Sequence, residues 1–222
     1  MEKENHFDVL VIGAGISGIS AAYHIQKHCD WASYAILERR ENLGGTWDFF
    51  KYPGIRSDSD MHTLGYRFKP WIHYKSIADG PSILEYLKET IDENDLMKDV
   101  LLNHKVSSAN WNSEKSLWEL VINNGTLNKK MTCNFLFLCG GYYSYTKPHM
   151  PYFKNQENFE GQIIHPQFWN DQIDYANKKI QELNQLISVQ VEKNVHRRRQ
   201  SCANYFRRLI SSLPELRSIV ER

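Results

Sequence analysis

Long apolar runs, cysteine motifs and an excess of charge are all missing from this sequence. The first apolar run, residues 9–12, ends at glycine, and no run approaches the roughly 18–20 apolar residues of a membrane span. The four cysteines form neither CxxC nor a zinc-ligand spacing, which predicts free thiols and no metal site. We therefore expect a cytoplasmic protein without a stable membrane span. The formal net charge of +1 does not indicate nucleic-acid binding.

Glycine is missing from the C-terminal quarter of the chain. All twelve glycines lie at or before Gly161. Residues 177–222 hold ten basic and four acidic residues, a net of +6, whereas residues 1–176 hold 17 and 22, a net of −5. We expect a break in the organisation of the chain near residue 180, followed by a helical C-terminal tail. Its apolar residues recur in rough helical register: Ile180, Leu183, Leu186, Ile187 and Val191.

The stretch from residue 7 to residue 40 has the pattern of a βαβ unit. A short apolar run at 8–12 suits a parallel strand that is buried on both faces. Apolar residues at helical spacing follow over 17–28, and a second short apolar run covers 34–37. The pattern predicts strand, helix and strand, with a glycine-rich turn between the first two.

That turn is a GxGxxG motif, Gly13-Ala14-Gly15-Ile16-Ser17-Gly18. Its first glycine permits a tight turn, its second lets a pyrophosphate approach the backbone, and its third allows the helix to pack closely on the strand. The helix N-terminus offers N–H groups to the phosphates. Glu38 follows at the end of the second strand, where an acid accepts hydrogen bonds from a ribose. An acid at this place favours FAD or NAD over NADP, and the alternative is a glycine turn without a ligand.

The remaining pattern predicts an α/β protein with a Rossmann-like FAD-binding domain. Residues 41–70 lack clear periodicity, and residues 78–95 carry apolar residues at helical spacing. We expect a parallel sheet with a β-meander inserted before its final strand, and this order favours FAD. The strands are expected at 100–106, 109–111, 117–122, 131–133 and 135–139.

Four further motifs follow the glycine turn. They are GGTW at 44–47, YPGIRSDSD at 52–60, YRFKPW at 66–71 and the pattern FxGxxxHxxxW at 159–169. With the glycine turn they resemble the flavin-containing and Baeyer–Villiger monooxygenases, in particular the bacterial ethionamide-activating monooxygenases, over residues 6–179. The resemblance implies an FAD-dependent enzyme that uses NADPH and O₂ to oxygenate ketones, or sulfur or nitrogen atoms.

The resemblance also implies the roles of individual residues. Asp58 would touch the cofactor and orient a catalytic arginine, and Val106 would contact the adenine through its backbone. His165 and Trp169 belong to the linker fingerprint, whose histidine is implicated in domain movement. Without the resemblance, Asp58 is a candidate turn cap and His165 a hydrogen-bonded structural residue. The residues implied to bind FAD are Gly13, Gly15, Ser17, Gly18, Glu38, Gly45, Thr46, Trp47, Arg56, Ser57, Asp58 and Val106.

The resemblance ends near residue 180. The family continues with a second GxGxxG motif for NADPH, and its catalytic arginine lies further on, whereas no glycine follows Gly161 here. We therefore predict three parts: an FAD-binding domain at 1–147, a linker carrying the fingerprint at 148–179, and a divergent helical tail at 180–222 in place of the NADPH domain.

This organisation predicts FAD binding without efficient turnover. The chain would be a truncated and catalytically impaired monooxygenase, either the product of a disrupted gene or a short flavoprotein in its own right. The alternative is a non-catalytic FAD- or nucleotide-binding module that engages a partner through its basic tail. Flavin oxidase chemistry also stays open, whereas a disulfide reductase is disfavoured by the missing CxxC.

Overall fold

A computed structural model describes residues 5–125 and 127–173 of the chain. The chain divides into two units, Met1–Asp171 and Gln172–Arg222, and every element named below lies in the first. The predicted helical tail lies outside the described residues. The helices are α1 (Ile16–His28), α2 (Thr46–Phe49), α3 (Met61–Leu64) and α4 (Gly80–Glu93), and the strands are β1 (His6–Ile12), β2 (Tyr34–Leu37), β3 (Val100–Leu101), β4 (Lys105–Asn112), β5 (Leu117–Asn123) and β6 (Asn128–Leu138).

The six strands form one mixed sheet in the order β3-β2-β1-β6-β5-β4. β1 lies between β2 and β6 and runs parallel to both, and β3 runs parallel to β2. β4, β5 and β6 form an antiparallel meander. The predicted α/β fold is therefore confirmed as a Rossmann-like sheet that is extended by a β-meander.

The last strand differs from its prediction in one respect. The sequence predicted two strands, at 131–133 and 135–139, whereas β6 is continuous over eleven residues. Thr132 pairs with His6 of β1 on one side and with Glu119 of β5 on the other. β6 therefore belongs to the parallel sheet and to the meander at once. Asn134, the polar residue between the two predicted strands, interrupts the apolar pattern of the sequence but does not interrupt the strand.

The strand predicted at 100–106 is also divided differently. β3 has only two residues, and Asn103 beyond it has a positive φ of 58°. A strand cannot continue through that left-handed conformation. β4 then includes the separately predicted strand at 109–111 and has an irregularity in its pairing between Val106 and Ser108.

Apolar side chains cover both faces of β1. On one face, Val9 and Val11 share a cluster with buried residues of α1 and α4. On the other face, Leu10 packs with Leu120 and Ile122 of the meander. Burying one such side chain contributes about 1.5–3 kcal/mol. The carboxyl end of β1, which leads into the glycine turn, is therefore held in place from both sides.

The long region predicted as irregular contains the one-turn helices α2 and α3. Asp60 caps α3, because its Oδ1 accepts a hydrogen bond from the N–H of Thr63 at 2.9 Å. The hydroxyl of Tyr66 donates to the carbonyl of Ile16 in the first turn of α1 at 2.8 Å. The N–H of Tyr66 donates to the hydroxyl of Tyr86 on α4, also at 2.8 Å. These side chains fasten the region to α1 and α4.

Candidate functional site

The carboxyl ends of β1, β2 and β6 meet at one edge of the sheet. Gly13 follows β1, and its N–H donates to the carbonyl of Leu37 at 2.8 Å. Cys139 follows β6, and its N–H donates to the carbonyl of Ile12 at 2.8 Å. Glu38 comes directly after β2. The glycine turn and the acid thus lie at the edge where open α/β sheets bind their ligands.

Two glycines of the turn are required by the fold itself. Gly13 has a φ of +102°, and a Cβ atom there would lie 2.5 Å from the carbonyl oxygen of Cys139. A Cβ atom on Gly18 would lie 1.8 Å from the carbonyl oxygen of Gly13. Both contacts are with backbone, which cannot rotate away. The close approach of α1 to β1 therefore requires glycine at both positions.

Gly15 has a different environment, which fits a ligand. Its φ is −87°, and among the described residues a Cβ atom there would meet only the Cα of Gly45, at an ordinary distance of 3.6 Å. The fold therefore tolerates a side chain at Gly15, whereas a pyrophosphate at this place would not. No described side chain caps the start of α1, and its first turn holds no acid. This helix N-terminus can accept an anion.

Glu38 is fixed against the turn. Its side chain is buried, with 5% of the residue exposed. Oε2 accepts a hydrogen bond from the N–H of Ala14 at 2.8 Å, and Oε1 accepts one from the N–H of Arg40 at 2.9 Å. Each carboxylate oxygen keeps a further lone pair for a ribose hydroxyl.

The loop of the GGTW motif packs against the glycine turn. The N–H of Gly44 donates to the carbonyl of Ala14 at 2.9 Å. Gly44 and Gly45 have φ of +106° and +55°, and a Cβ atom on Gly45 would lie 3.0 Å from the Cα of Gly15. Thr46 and Trp47 then begin α2, and both are half-buried. The structure thus brings the two predicted glycine motifs into contact.

An ion pair that the sequence did not predict joins this loop to the end of β2. Nη2 of Arg40 lies 2.5 Å from Oδ2 of Asp48, and Nη1 donates to the carbonyl of Gly45 at 3.4 Å. The guanidinium also lies over the rings of Phe49 and Tyr145, at 5.2 and 5.5 Å. The one signal of this pair in the sequence is Asp48 itself, an acid directly after the GGTW motif.

The predicted segment 56–58 lies in the loop before α3. Ser57 is buried, and its N–H donates to the carbonyl of Ala78 at 2.9 Å while its hydroxyl accepts from the N–H of Ala78 at 3.1 Å. Arg56 and Asp58 are exposed. The roles predicted for Arg56 and Asp58 therefore stay predictions.

The residues just before the strand of Val106 are hydrogen-bonded to the segment that contains Glu38. The N–H of His104 donates to the carbonyl of Glu38 at 2.8 Å, and the N–H of Asn103 donates to the carbonyl of Arg40 at 3.0 Å. Val106 lies two residues further on, in β4. The strand that carries Val106 therefore starts beside Glu38.

His165 has a structural contact in the fingerprint segment. Its Nδ1 accepts a hydrogen bond from the N–H of Gln167 at 3.1 Å and caps the short 3₁₀ helix Pro166–Phe168. The side-chain amide of Gln167 donates to the carbonyl of Ser144 at 2.8 Å. Trp169 follows this helix as its C-cap. The fingerprint is thereby tied to the segment that follows β6, while the functional roles of these residues stay predictions.

The described residues show neither a membrane helix nor a metal centre. None of their helices combines the length and the apolar character needed to cross a bilayer. They contain no group of three or more His, Cys, Asp or Glu side chains placed to hold a metal ion. Cys29, Cys133 and Cys139 are free thiols, and burial raises the pKa of Cys133 to about 11.

The strand order and the glycine turn at this edge of the sheet define a Rossmann-like domain. A family model described as an NAD(P)-binding Rossmann-like domain matches residues 11–74. The chain is 54% identical over 175 residues to the FAD-containing monooxygenase EthA of Mycolicibacterium smegmatis. The matched region covers 79% of this chain and 36% of that protein. The chain thus spans about a third of the length of such curated relatives.

Solved structures of monooxygenases share the fold. Cyclohexanone monooxygenase in its closed form matches with a TM-score of 0.62 and 26% identity over 76% of this chain and 32% of its own. The OTEMO complex with FAD and NADP matches with a TM-score of 0.61 and 31% identity, over 76% of this chain and 31% of its own. The predicted resemblance to flavin-containing and Baeyer–Villiger monooxygenases is confirmed.

Proposed function

We propose that this chain binds FAD and corresponds to the FAD-binding part of an NADPH- and O₂-dependent monooxygenase. One observation carries the proposal: among the described residues, a Cβ atom on Gly15 would make only an ordinary contact, 3.6 Å from the Cα of Gly45. This position lies at an uncapped helix N-terminus, next to the buried acid Glu38. The fold has no steric need of glycine at that position, whereas a bound pyrophosphate has. The similarity to FAD-containing monooxygenases over 79% of the chain supports the same cofactor.

Each part of the site has a place in this proposal. The turn at Gly15 and the start of α1 would hold the pyrophosphate, and Glu38 would accept hydrogen bonds from the ribose. Residues 45–47 would border the flavin, and the backbone of Val106 would contact the adenine. Arg56, Ser57 and Asp58 would face the flavin and the nicotinamide nucleotide. Bound FAD would supply electron transfer from NADPH to O₂, while the protein positions it.

The activity of a complete protein of this type belongs to the same proposal. Its substrate would be a small ketone, or a compound with an oxidisable sulfur or nitrogen atom. NADPH binding would need residues beyond the described ones, because the relatives are about three times as long as the matched region. Free thiols at Cys29, Cys133 and Cys139 suit a cytoplasmic location.

A substitution at Gly15 tests this proposal directly. The purified chain is titrated with FAD, and binding is followed by quenching of flavin fluorescence. Gly15→Ala should weaken FAD binding by about tenfold or more, since 1.4 kcal/mol of lost contact is tenfold, and should leave the unfolding temperature unchanged.

Lys27→Ala is the control. Lys27 is exposed in the last turn of α1, at the opposite end of that helix from the glycine turn, so this variant should keep both the FAD affinity and the stability. A wild-type chain that takes up no FAD would refute the proposal. Equal FAD affinity of Gly15→Ala and wild type would refute the assignment of this turn to the pyrophosphate.

A further inference from the structure

Arg40 connects three parts of the site that are distant in sequence. Its N–H donates to Oε1 of Glu38 at 2.9 Å, and its carbonyl accepts from the N–H of Asn103 at 3.0 Å. Its side chain crosses to the loop after the second glycine motif, where it reaches Asp48 at 2.5 Å and the carbonyl of Gly45 at 3.4 Å. One residue therefore contacts the ribose acid, the start of the predicted adenine strand and the loop predicted to border the flavin.

Asp48 depends on Arg40 for its charge balance. The residue is 8% exposed, and a buried carboxylate requires a partner. Lys51 lies at 3.7 Å from Oδ1, but its side chain is 59% exposed, so solvent screens that pair. Nη2 of Arg40 is closer by more than an ångström, and its side chain is 20% exposed. Arg40 is therefore the main counter-ion of Asp48.

Aromatic rings hold the guanidinium in this position. It lies 5.2 Å from the ring centre of Phe49 and 5.5 Å from that of Tyr145. The two rings stack on each other with their centres 4.1 Å apart. Phe49 belongs to α2 and Tyr145 to the segment after β6, so the guanidinium lies beside a ring pair formed by two separate segments. A guanidinium suits this place better than an ammonium, because its planar group can contact the rings and still donate to Asp48 and Gly45.

We infer that Arg40 is a positioning residue for the flavin end of the cofactor: it acts through Asp48 and Gly45 to fix the loop at residues 44–49 against the glycine turn. The inference rests on the proposed FAD site and adds to it a residue that contacts the protein rather than the cofactor. An arginine beside a dinucleotide site often binds phosphate directly. Here Nη1 and Nη2 donate to Gly45 and Asp48, and the carboxylate of Asp48 neutralises the charge of the guanidinium, which favours the indirect role.

The affinities for FAD and ADP separate these roles. ADP carries the adenine, ribose and pyrophosphate but lacks the flavin. Arg40→Ala should weaken FAD binding by about tenfold or more, because the charged hydrogen bond that holds the loop at residues 44–49 is lost. ADP binding should change by no more than about twofold, the usual range for a change that leaves a site intact. A direct phosphate contact would weaken both ligands equally.

Four further variants complete the test. Asp48→Asn should weaken FAD binding about as much as Arg40→Ala, and the double variant should be no worse than either single variant, since the two residues act as one unit. Arg40→Lys should recover part of the affinity through the charge alone. Lys51→Ala should keep the wild-type affinity. Unfolding curves identify any variant that fails to fold. If Arg40→Ala does not fold, the FAD and ADP affinities of Arg40→Lys and Asp48→Asn are compared instead.

Each result decides the inference. A larger loss for FAD than for ADP, with a non-additive double variant, supports it. Equal losses for both ligands, additive effects, or an unchanged Arg40→Ala variant would overturn it while leaving FAD binding by the wild type in place. A wild-type chain without FAD affinity would instead refute the proposed function, and this inference with it.

Discussion

The carboxylate of Glu38 accepts a hydrogen bond from the N–H of Ala14 at 2.8 Å, in the middle of the glycine turn. Its second oxygen accepts one from the N–H of Arg40 at 2.9 Å. The acid at the end of β2 therefore fixes the turn after β1 as well as offering lone pairs to a ligand. The predicted ribose site and the predicted pyrophosphate site are therefore joined by a hydrogen bond.

Glu38→Gln should weaken FAD binding by about tenfold or more, because an amide has only one acceptor oxygen for the two N–H groups. It should also lower the stability of the ligand-free chain by roughly 1–3 kcal/mol, since one buried N–H is left unpaired. Isothermal titration with FAD and denaturant unfolding measure the two effects. Glu41→Gln, at an exposed position nearby, is the control and should match wild type. Unchanged FAD affinity in Glu38→Gln would exclude the ribose role.

Gly18→Ala should destabilise the fold whether or not FAD is present. The added Cβ would lie 1.8 Å from the carbonyl oxygen of Gly13, so α1 must move away from β1 at a cost of about 3 kcal/mol or more. Thermal unfolding followed by circular dichroism measures this loss. Ser17→Ala changes the exposed neighbouring residue and should unfold like wild type. A Gly18→Ala chain with the wild-type unfolding temperature would show that the turn and helix are not packed as described.

Asp79→Ala should destabilise α4 at neutral pH and have little effect in acid. Oδ1 of Asp79 accepts hydrogen bonds from the hydroxyl and the N–H of Ser82 at 2.7 and 3.0 Å, and these hold the pKa of Asp79 below its usual range. A lowered pKa gives stabilisation that is complete above the unfolded value, about 3.9, and is lost as the pH falls through the folded value. Loss of such an N-cap costs about 1 kcal/mol.

Unfolding temperatures measured across this acidic range test the Asp79 prediction. The gap between wild type and Asp79→Ala should be about 2–4 °C for each kcal/mol at neutral pH in a chain of this size, and should narrow below about pH 4. Asp92→Ala, an exposed change in the same helix, should show no such narrowing. A gap that stays constant down to the acid limit would mean that the carboxylate does not cap the helix.

NADPH should not reduce the flavin of the isolated chain rapidly. The relatives are about three times as long as the matched region, and GxGxxG occurs once, at residues 13–18. The chain is loaded with FAD, NADPH is added without oxygen, and the visible flavin absorbance is recorded. The absorbance should persist with NADPH and disappear with dithionite, which reduces flavin chemically. Rapid bleaching by NADPH would show that this chain holds a working site for it.

Much of the fold could be predicted from the sequence because its signals are local. The βαβ unit appears as two short apolar runs around a helical period, and β2 was predicted at its observed bounds, Tyr34–Leu37. Gly13 and Gly18 could be assigned to close backbone contacts from the sequence, because the turn and the helix packing require glycine at these places. Glu38 follows from its distance to the turn. The resemblance implied that Gly45 belongs to the cofactor site, and the structure places Gly45 against Gly15.

Other features depend on partners that are remote in the chain. Thr132 lies in one continuous strand because it pairs with two different strands, and no local pattern shows that. The cap of α3 is Asp60, whose carboxylate accepts a hydrogen bond from the N–H of Thr63, and the sequence did not predict this role. Residue type alone cannot identify the cap, because Asp58 is a second aspartate in the same segment.

The sequence by itself determined the Rossmann-like class, the glycine turn and the acid that faces it, since each depends on residue types at fixed short spacings. Only the tertiary structure decided which glycine the fold itself does not require. A Cβ atom on Gly13 or Gly18 would collide with a backbone oxygen, whereas a Cβ atom on Gly15 would make an ordinary contact. The tertiary structure also decided that Arg40 joins Asp48 across the loop. Both depend on how separate segments pack, and packing distances are set by the whole fold rather than by any one stretch of the chain.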